Sequence, residues 1–519
     1  MGKKEFGIGY RTFFTASLIY VALPVLLFFM FFLKIHMALI FSLVLISVCI
    51  YSVIDSEKDG NCKKISDDKI SFTVPFLVIT AVFAVIWAVV AGIGEFTWTT
   101  LDHNVRAAVL NDLVEYDWPV FYDLSKQSDP VVREAFGSDT VAFAYYFTFW
   151  LVPAAVGKLF GLMAARIALI LWSALGLFLV MTGICFIMKR RSYAAMVTLF
   201  LFAGFDILVL AFNGIVLHVE TTWEGWNHIF NIHGNFYQTM NVFHQTIPGW
   251  VVTMLVIGAK NGRSAGALGA LLFPYSPWAT IGLVPVAVWK AVRDGIIKGD
   301  RRRSLLNIFS IGNLILPVFI FACYALFFTA NSNATGIRGF IWEFYKDPGE
   351  LILYYFLYVI FEFGLWIVFL FRDRKHDGLM WVSAATLAVF PVYMMSEAND
   401  LLMRGTLAPM FAITVMTAVK IGRECERIAK NNNNIDGRSM ISFGALLLSG
   451  VTAFLFLLTV AGATKEIITG EDTSVQPRDQ IVSFGDLRSH EDYFINVTPR
   501  QFYVRDYEDT AFYRYLGKT

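Results

Sequence analysis

The chain of 519 residues is 57% hydrophobic and 16% aromatic, with 49 Phe and 13 Trp, and only 16% of its residues are charged, giving a mean hydropathy of +0.59. Soluble domains carry about 25% charged residues, so a water-solvated globule is excluded and most of the surface must face lipid. The 42 basic and 41 acidic side chains nearly cancel, which removes the concentrated basic surface that nucleic-acid binding requires.

The first apolar run, 12–33, follows Lys3, Lys4 and Arg11. It lacks a small-residue cleavage site and a second run follows at once, so it reads as a retained helix and not as a signal peptide. Further runs occupy 36–54, 71–93, 140–157, 162–188, 193–217, 247–259, 265–290, 305–329, 350–371, 379–395, 405–421 and 440–463, most of them near the span length of a bilayer. Short loops rich in Lys and Arg stay in the cytosol. The clusters Lys63–Lys64, Lys189–Arg191, Lys260 with Arg263, Lys290 to Arg303, Arg372–Lys375 and Arg423–Lys430 can all lie there under one condition, that 140–157 does not cross. Its Tyr145, Tyr146, Trp150 and Pro153 suit a helix lying at the outer interface. The run 265–290 is basic at both ends and broken at Pro274-Tyr-Ser-Pro277, which predicts a hairpin of two short helices entering and leaving from the cytosol.

The expected fold is therefore an all-α polytopic bundle of about 13 transmembrane passes, cytosolic at its N-terminus and extracytoplasmic at its C-terminus. One multi-pass domain, 1–463, precedes a polar tail, 464–519, and the external segments are 94–161, 218–246, 330–349 and 396–404. The tail carries enough aromatic residues to want burial over the external face. The five cysteines fall in apolar runs or cytosolic segments without metal-ligand spacing, so they read as buried or free thiols.

Chemistry belongs outside. In the first external loop, Glu95 and Asp102 lie near His103 and Arg106 just beyond a span. A partly desolvated Asp102 is a candidate general base, and it equally suits the N-cap of the helix that follows. The next outward span carries Asp206 inside an apolar run, with His218 and Glu220 at its mouth. An intramembrane acid is either functional or a structural hydrogen-bonding group. Trp223, Gln238, His244 and Gln245 in the same loop suit sugar stacking and amide bonding, and an interfacial aromatic belt as well. His228 and His233 accompany them without the spacing of a zinc site. Late in the chain, Asn399, Asp400 and Arg404 form a site where Arg404 either holds a phosphate through its fork of donors or pairs with Asp400 one turn away. Arg338 is a further phosphate candidate on a loop.

Taken together, the stretches Asn111-Asp-Leu, Asp117-Trp-Pro-Val, Tyr145 through Lys158, Gly204-Phe-Asp-Ile, His218-Val-Glu, Phe243-His-Gln-Thr-Ile-Pro-Gly-Trp250, Asn399-Asp with Met403-Arg404, and Phe512-Tyr-Arg-Tyr-Leu516 resemble a bacterial group of proteins similar to the GT-C superfamily of polyprenyl-phosphate-dependent glycosyltransferases. The resemblance implies a cell-membrane enzyme that moves a sugar from a polyprenyl-phosphate donor to a cell-envelope glycan, lipid or protein on the outer face. It implies Asp102 as catalytic base with Glu220 and His218 in support, and Arg404 and Arg106 as phosphate ligands beside Asp400 and Asn399. Where tighter members carry Trp after the first Asp, this chain has His103, and it has no DxD motif, so a divalent cation is left open. The competing readings are a transporter or flippase of lipid-linked glycans, suited by Asp206, Glu362 and the broken helices, and a surface-polysaccharide polymerase or ligase.

The topology carries its own test. A single cysteine placed at Arg190 should stay unlabelled by a membrane-impermeant maleimide in intact cells and become fully labelled after permeabilisation; labelling without permeabilisation overturns the assignment.

Overall fold

The computed structural model describes residues 5–58, 68–99, 101–123, 125, 140–216, 224–227, 229–331, 337–396, 399–430, 435–469, 483–484 and 502–519, with backbone alone at several of these, including 101, 102 and 104. The helices are α1 Tyr10–Phe32, α2 Ile35–Ser56, α3 Val74–Val90, α4 Leu101–Glu115, α5 Leu151–Phe160, α6 Leu162–Met188 and α7 Tyr193–Leu201. They continue as α8 Asp206–Val216, α9 Asn235–Gly258, α10 Ala265–Ala270, α11 Pro277–Lys298, α12 Arg301–Ile308, α13 Leu316–Thr329 and α14 Pro348–Tyr358. The last are α15 Leu365–Arg374, α16 Gly378–Val389, α17 Asp400–Gly405, α18 Leu407–Lys430, α19 Gly437–Ser449, α20 Val451–Thr469 and α21 Ala511–Tyr515.

Among the described residues, seven helices are long and apolar enough to cross a membrane, and an eighth arises if Gly437–Ser449 and Val451–Lys465, bent by 40°, form one span. The protein is thus a mainly helical, polytopic membrane protein. Its outer surface fits lipid: on α2 the side chains Ile35, Leu39, Leu43, Ile46, Ile50 and Ile54 form an exposed apolar stripe, which water would not tolerate at that size.

Several expected spans differ in detail. The run 71–93 yields helix only from Val74, because residues 69–73 form strand β2 against β1, Glu5–Gly9, and Thr73 then accepts the amide of Phe76 as an N-cap. The run 193–217 is broken over 202–205, and the run 350–371 carries a π-helical turn at Val359–Gly364. Of the expected hairpin at 265–290, the first arm is the short α10, whereas the second, α11, continues to Lys298. The break itself falls where predicted: Ser276 accepts the amide of Ala279 and Pro277 sits at the first position, where its missing N–H costs nothing. Both arms return to one end of the bundle, since Tyr275 Oη donates to Val21 O in mid-span, 2.7 Å, while Lys290 Nζ donates to Ile257 O, 2.9 Å, at the end of α9. Arg338, expected in a loop, lies instead in strand β5, Arg338–Phe340, paired with β6, Tyr393–Met395.

The described basic clusters gather at one end, and Lys63–Lys64 lies outside the described residues. Arg11 pairs with Glu57 at 2.6 Å, Arg191 with Glu5 at 3.0 Å, Lys420 with Asp373 at 2.8 Å, and Arg190 with Glu426. Lys260 and Lys189 share Asp68 at the same end. The C-terminal residues dock at the opposite end, where α1 turns into α2: Lys34 N donates to Leu516 O, 2.8 Å, and Lys518 N to Phe32 O, 3.0 Å. Phe512 packs there on Phe28 and Phe327.

At that end a three-stranded sheet joins β3, Phe121–Asp123, β4, Thr140–Phe143, and β7, Tyr503–Val504. Phe143, Phe484 and Phe502 stack beneath it. Asp112 on α4 fixes it, accepting Tyr122 Oη at 2.6 Å and the amide of Phe484 at 3.0 Å. Burial outweighs these bonds and pushes the Asp112 carboxyl up to about 6.

A carboxyl raised in the folded state binds its proton more tightly folded than unfolded, so its contribution to stability is lost as pH rises from about 4 through 6. The opening free energy from amide exchange at Phe484 and Tyr503, corrected for intrinsic exchange, should therefore be larger at pH 5 than at pH 7 by about 1 kcal/mol. Asp112→Asn should flatten that difference while keeping the sheet.

Candidate functional site

Helix α9 is the axis of the site. Val242 leaves helical geometry, with φ −136° and ψ 40°, and Pro248 in the next turns has no N–H to give back to His244. The kink opens carbonyls that a straight helix would consume. Two side chains fill them: Thr246 Oγ1 donates to Gln238 O at 3.3 Å, and a ring nitrogen of His103, from α4, meets Met240 O. A carbonyl only accepts, so His103 carries a proton on Nε2. Its ring also stacks on Phe243, centroids 5.9 Å apart.

A polar relay descends on the other side of the kink. Ala279 N donates to Ser276 Oγ at 3.1 Å, Ser276 Oγ to Gln245 Oε1 at 2.7 Å, and Gln245 Nε2 faces His244 Nε2 at 3.2 Å. The direction of the relay makes His244 Nε2 the acceptor, so the neutral ring holds its proton on Nδ1. That N–H is buried and has no partner among the described residues. His244 stacks on Trp150, 4.5 Å, and lies within electrostatic reach of Arg106, Arg404 and His103. Two guanidinium groups and one further imidazole thus lie within electrostatic reach of this buried ring.

Each cation is positioned by its own element. Arg106 is one turn beyond His103 on α4 and is 7% exposed. Arg404 is held by Asp400 at 2.8 Å, the intrahelical pairing expected from the spacing. Asn399, in left-handed geometry at φ 51°, caps α17 by accepting Leu402 N, and its amide also donates to Ile229 O at 3.4 Å, so its side chain is committed to structure. Helix α17 rests directly on α11, where a Cβ at Gly282 would sit 1.6 Å from Gly405 O. Tyr146 completes the wall near Arg404 and Asp400, its hydroxyl raised by burial. Tyr145 links the site to the tail, 6.3 Å from His244 and 4.5 Å from Phe502 between ring centroids.

Of the residues expected from sequence, His103, Arg106, His244, Gln245, Asp400 and Arg404 are brought together. Gln238 lies higher on α9, donating to His233 O at 2.7 Å. Asp102 is the second residue of α4, with its side chain outside the described set, and His218, Glu220 and Trp223 lie outside the described residues. Glu95 pairs with Arg166 at 3.1 Å. Sequence reasoning read Tyr145, Tyr146 and Ser276 only as interface or helix-break residues; the Ser276-Pro277 pair, an N-cap before a first-turn proline, was the available signal.

A second, acidic site was half seen. Asp206 and Glu362 meet across the unwound 202–205 segment and the π-helical turn: a Cβ at Gly204 would lie 2.7 Å from Glu362 Oε2 and 3.1 Å from Asp206 Oδ2. Trp226 Nε1 donates to Glu362 Oε1 at 2.8 Å. Glu224, not anticipated, accepts the amide of Gly234 at 2.7 Å, and burial reinforced by Asp206 pushes its carboxyl up to about 8. All three are at most 1% exposed, and among the described residues no basic side chain pairs with them. Nor, among those residues, are three or more His, Cys, Asp or Glu side chains disposed to hold a metal ion.

Comparison with protein-family models, with curated proteins and with solved structures finds no match to this chain. Its function must be argued from the site.

Gly282 tests how tightly that site is set. Gly282→Ala should cost about 1–3 kcal/mol in thermal or denaturant stability, because two backbones must part. Gly444→Ala, with nothing within 4 Å of its Cβ position, should be neutral or slightly stabilising.

Proposed function

We propose that the protein is an integral membrane glycosyltransferase that takes a sugar from a polyprenyl-phosphate donor and passes it to an acceptor hydroxyl at the end of the bundle carrying His244 and Arg404. The observation that supports this reading is the buried Nδ1–H of His244, unpartnered among the described residues, with Arg106, Arg404 and His103 within electrostatic reach of its ring. A buried N–H with no acceptor among the described residues, with guanidinium groups in electrostatic reach, suits an anion, and the forked guanidinium groups suit a phosphate. Cleavage of the sugar–phosphate bond leaves an added negative charge on the departing phosphate, and Arg106, Arg404 and the His244 N–H stabilise it where it forms. The acceptor hydroxyl loses its proton to Asp102, one residue before His103 on the same helix, as its oxygen bonds to the sugar carbon. His218 and Glu220 assist in this reading, and no step is routed through a metal.

The finer topology belongs to the same proposal: about 13 passes, counting with the long apolar helices the shorter Val74–Val90 and Gly378–Val392, α18 and the two arms α10 and α11, the basic end in the cytosol and the site outside. A polymerase or ligase of surface polysaccharide would use the same chemistry with a larger acceptor.

One observation favours a second reading. The buried Asp206, Glu224 and Glu362 at two broken helices suit a proton or ion path in a transporter or flippase. Purified protein supplied with a synthetic polyprenyl-phosphate sugar and a glycan acceptor separates the two. Asp102→Asn should lower turnover by about 10²–10⁴-fold, and Arg404→Gln by about 10²–10³-fold, at unchanged melting temperature. Equal turnover in all three proteins overturns the site assignment; no turnover, with flux across proteoliposomes that Asp206→Asn abolishes, replaces the enzyme by a transporter.

A further inference from the structure

Contacts from three sides of the proposed phosphate site lead back to one element, the start of α11. Ser276, its N-cap, begins the relay that passes through Gln245 to His244. Trp278, the second residue of the helix, donates its indole N–H to the Tyr146 hydroxyl. Further along the same helix, Gly282 lies against Gly405, the residue after Arg404.

Each side-chain bond fixes where a proton can lie. An indole N–H only donates, so the Tyr146 oxygen accepts from Trp278 and its own hydrogen lies away from that ring. The phenol is held between Tyr145, 4.4 Å away, and Phe328, 5.7 Å away between centroids, with Arg404 and Asp400 as the charges that act on it among the described residues. His244 is set at one remove. A flip of the Gln245 amide would turn its oxygen toward His244 and move the imidazole proton from Nδ1 to Nε2. Ser276 opposes that flip, because its oxygen already accepts Ala279 N at 3.1 Å and its hydrogen goes to Gln245 Oε1 at 2.7 Å. After a flip that hydrogen would lose this acceptor. Ser276, Gln245 and His244 are each 0% exposed, and a buried donor left unmet disfavours a state by roughly 5- to 150-fold.

We propose that the first turn of α11 is the positioning element of the site: Ser276, through Gln245, and Trp278 hold His244 and Tyr146 as proton donors and so fit the site to an oxyanion. Tyr146 thereby joins Arg404 and the His244 N–H as a ligand of that anion. This role rests on the reading that a phosphate binds beside His244 and Arg404, and it names the residues that fix the polarity of the two neutral donors there.

The test uses purified full-length protein in neutral detergent, with the ring nitrogen resonances of His244 assigned by their loss in His244→Asn. In the wild type Nδ1 should carry the proton. Ser276→Ala and Gln245→Met break the relay and should move it to Nε2, the favoured position in free histidine, whereas Ser276→Thr keeps both hydroxyl and cap and should leave it on Nδ1. Geranyl phosphate, titrated calorimetrically, should bind the wild type and Ser276→Thr alike. Where the Nδ1–H form falls to about a fifth of the population, affinity should fall about fivefold. Tyr146→Phe, which deletes a donor to a charged group, should weaken binding about tenfold or more. Trp278→Phe should weaken it less, and should add nothing once Tyr146 is Phe. Tyr355→Phe, whose hydroxyl donates to Ala388 O, should bind like the wild type. Unchanged His244 resonances in Ser276→Ala and Gln245→Met, or unchanged affinity once the proton has moved, overturns the positioning role and leaves the phosphate site standing. Weakening by Tyr355→Phe as large as that by Tyr146→Phe makes both effects structural and overturns it as well. A wild type that binds no geranyl phosphate overturns the phosphate reading itself, and this role with it.

Discussion

The structure turns on a helix that is not allowed to be regular. Helix α9 runs through the middle of the bundle with 89% of its most apolar window buried, and it kinks at Val242, six residues before Pro248. In a medium without water every opened carbonyl needs a donor from the protein. His103 and Thr246 supply two of them, and His103 in doing so pins α4 to the kinked helix. Arg106 follows because it is on the same face of α4, and His244 follows because the kink turns it toward Trp150. The polar cluster is the local answer to a broken backbone ladder.

Much of this was legible as pattern. The basic clusters predicted which loops share an end, and the ion pairs Arg190–Glu426 and Lys260–Asp68 tie them there. The four-residue spacing of Asp400 and Arg404 predicted their pairing, and the tail's aromatic content predicted burial of the kind seen at Phe484, Phe502, Tyr503, Phe512 and Tyr513. These signals are local or compositional. The relay from Ser276 through Gln245 to His244 was not legible, because it joins residues 31 apart through a helix break whose angle no spacing encodes. Strand β2 was missed for a related reason: Phe72 leads straight into the apolar helix, and only the partner at residues 5–7 makes 71–73 a strand.

The acidic pair illustrates the same boundary. Asp206 and Glu362 each stood out as charges in apolar runs. Their meeting depends on Phe205 N donating to Phe361 O at 2.8 Å and on Trp366 Nε1 donating to Ala203 O at 2.8 Å, bonds that exist because both helices are interrupted at matching depth. Charge placement was visible in the chain, but the interruptions that convert placement into contact were not.

The clasp between α1 and the C-terminal residues has a consequence in time. Lys34 Nζ donates to Arg514 O at 2.7 Å across a separation of 480 residues. At about 5–20 residues per second, the turn that ends the first span waits roughly half a minute to a minute and a half for its partner to be translated. Phe28, Phe32 and Lys34 must pass that interval against lipid or against intermediate packing. The finished site, with Tyr145 against Phe502, is therefore assembled late, after nearly every span is in the membrane.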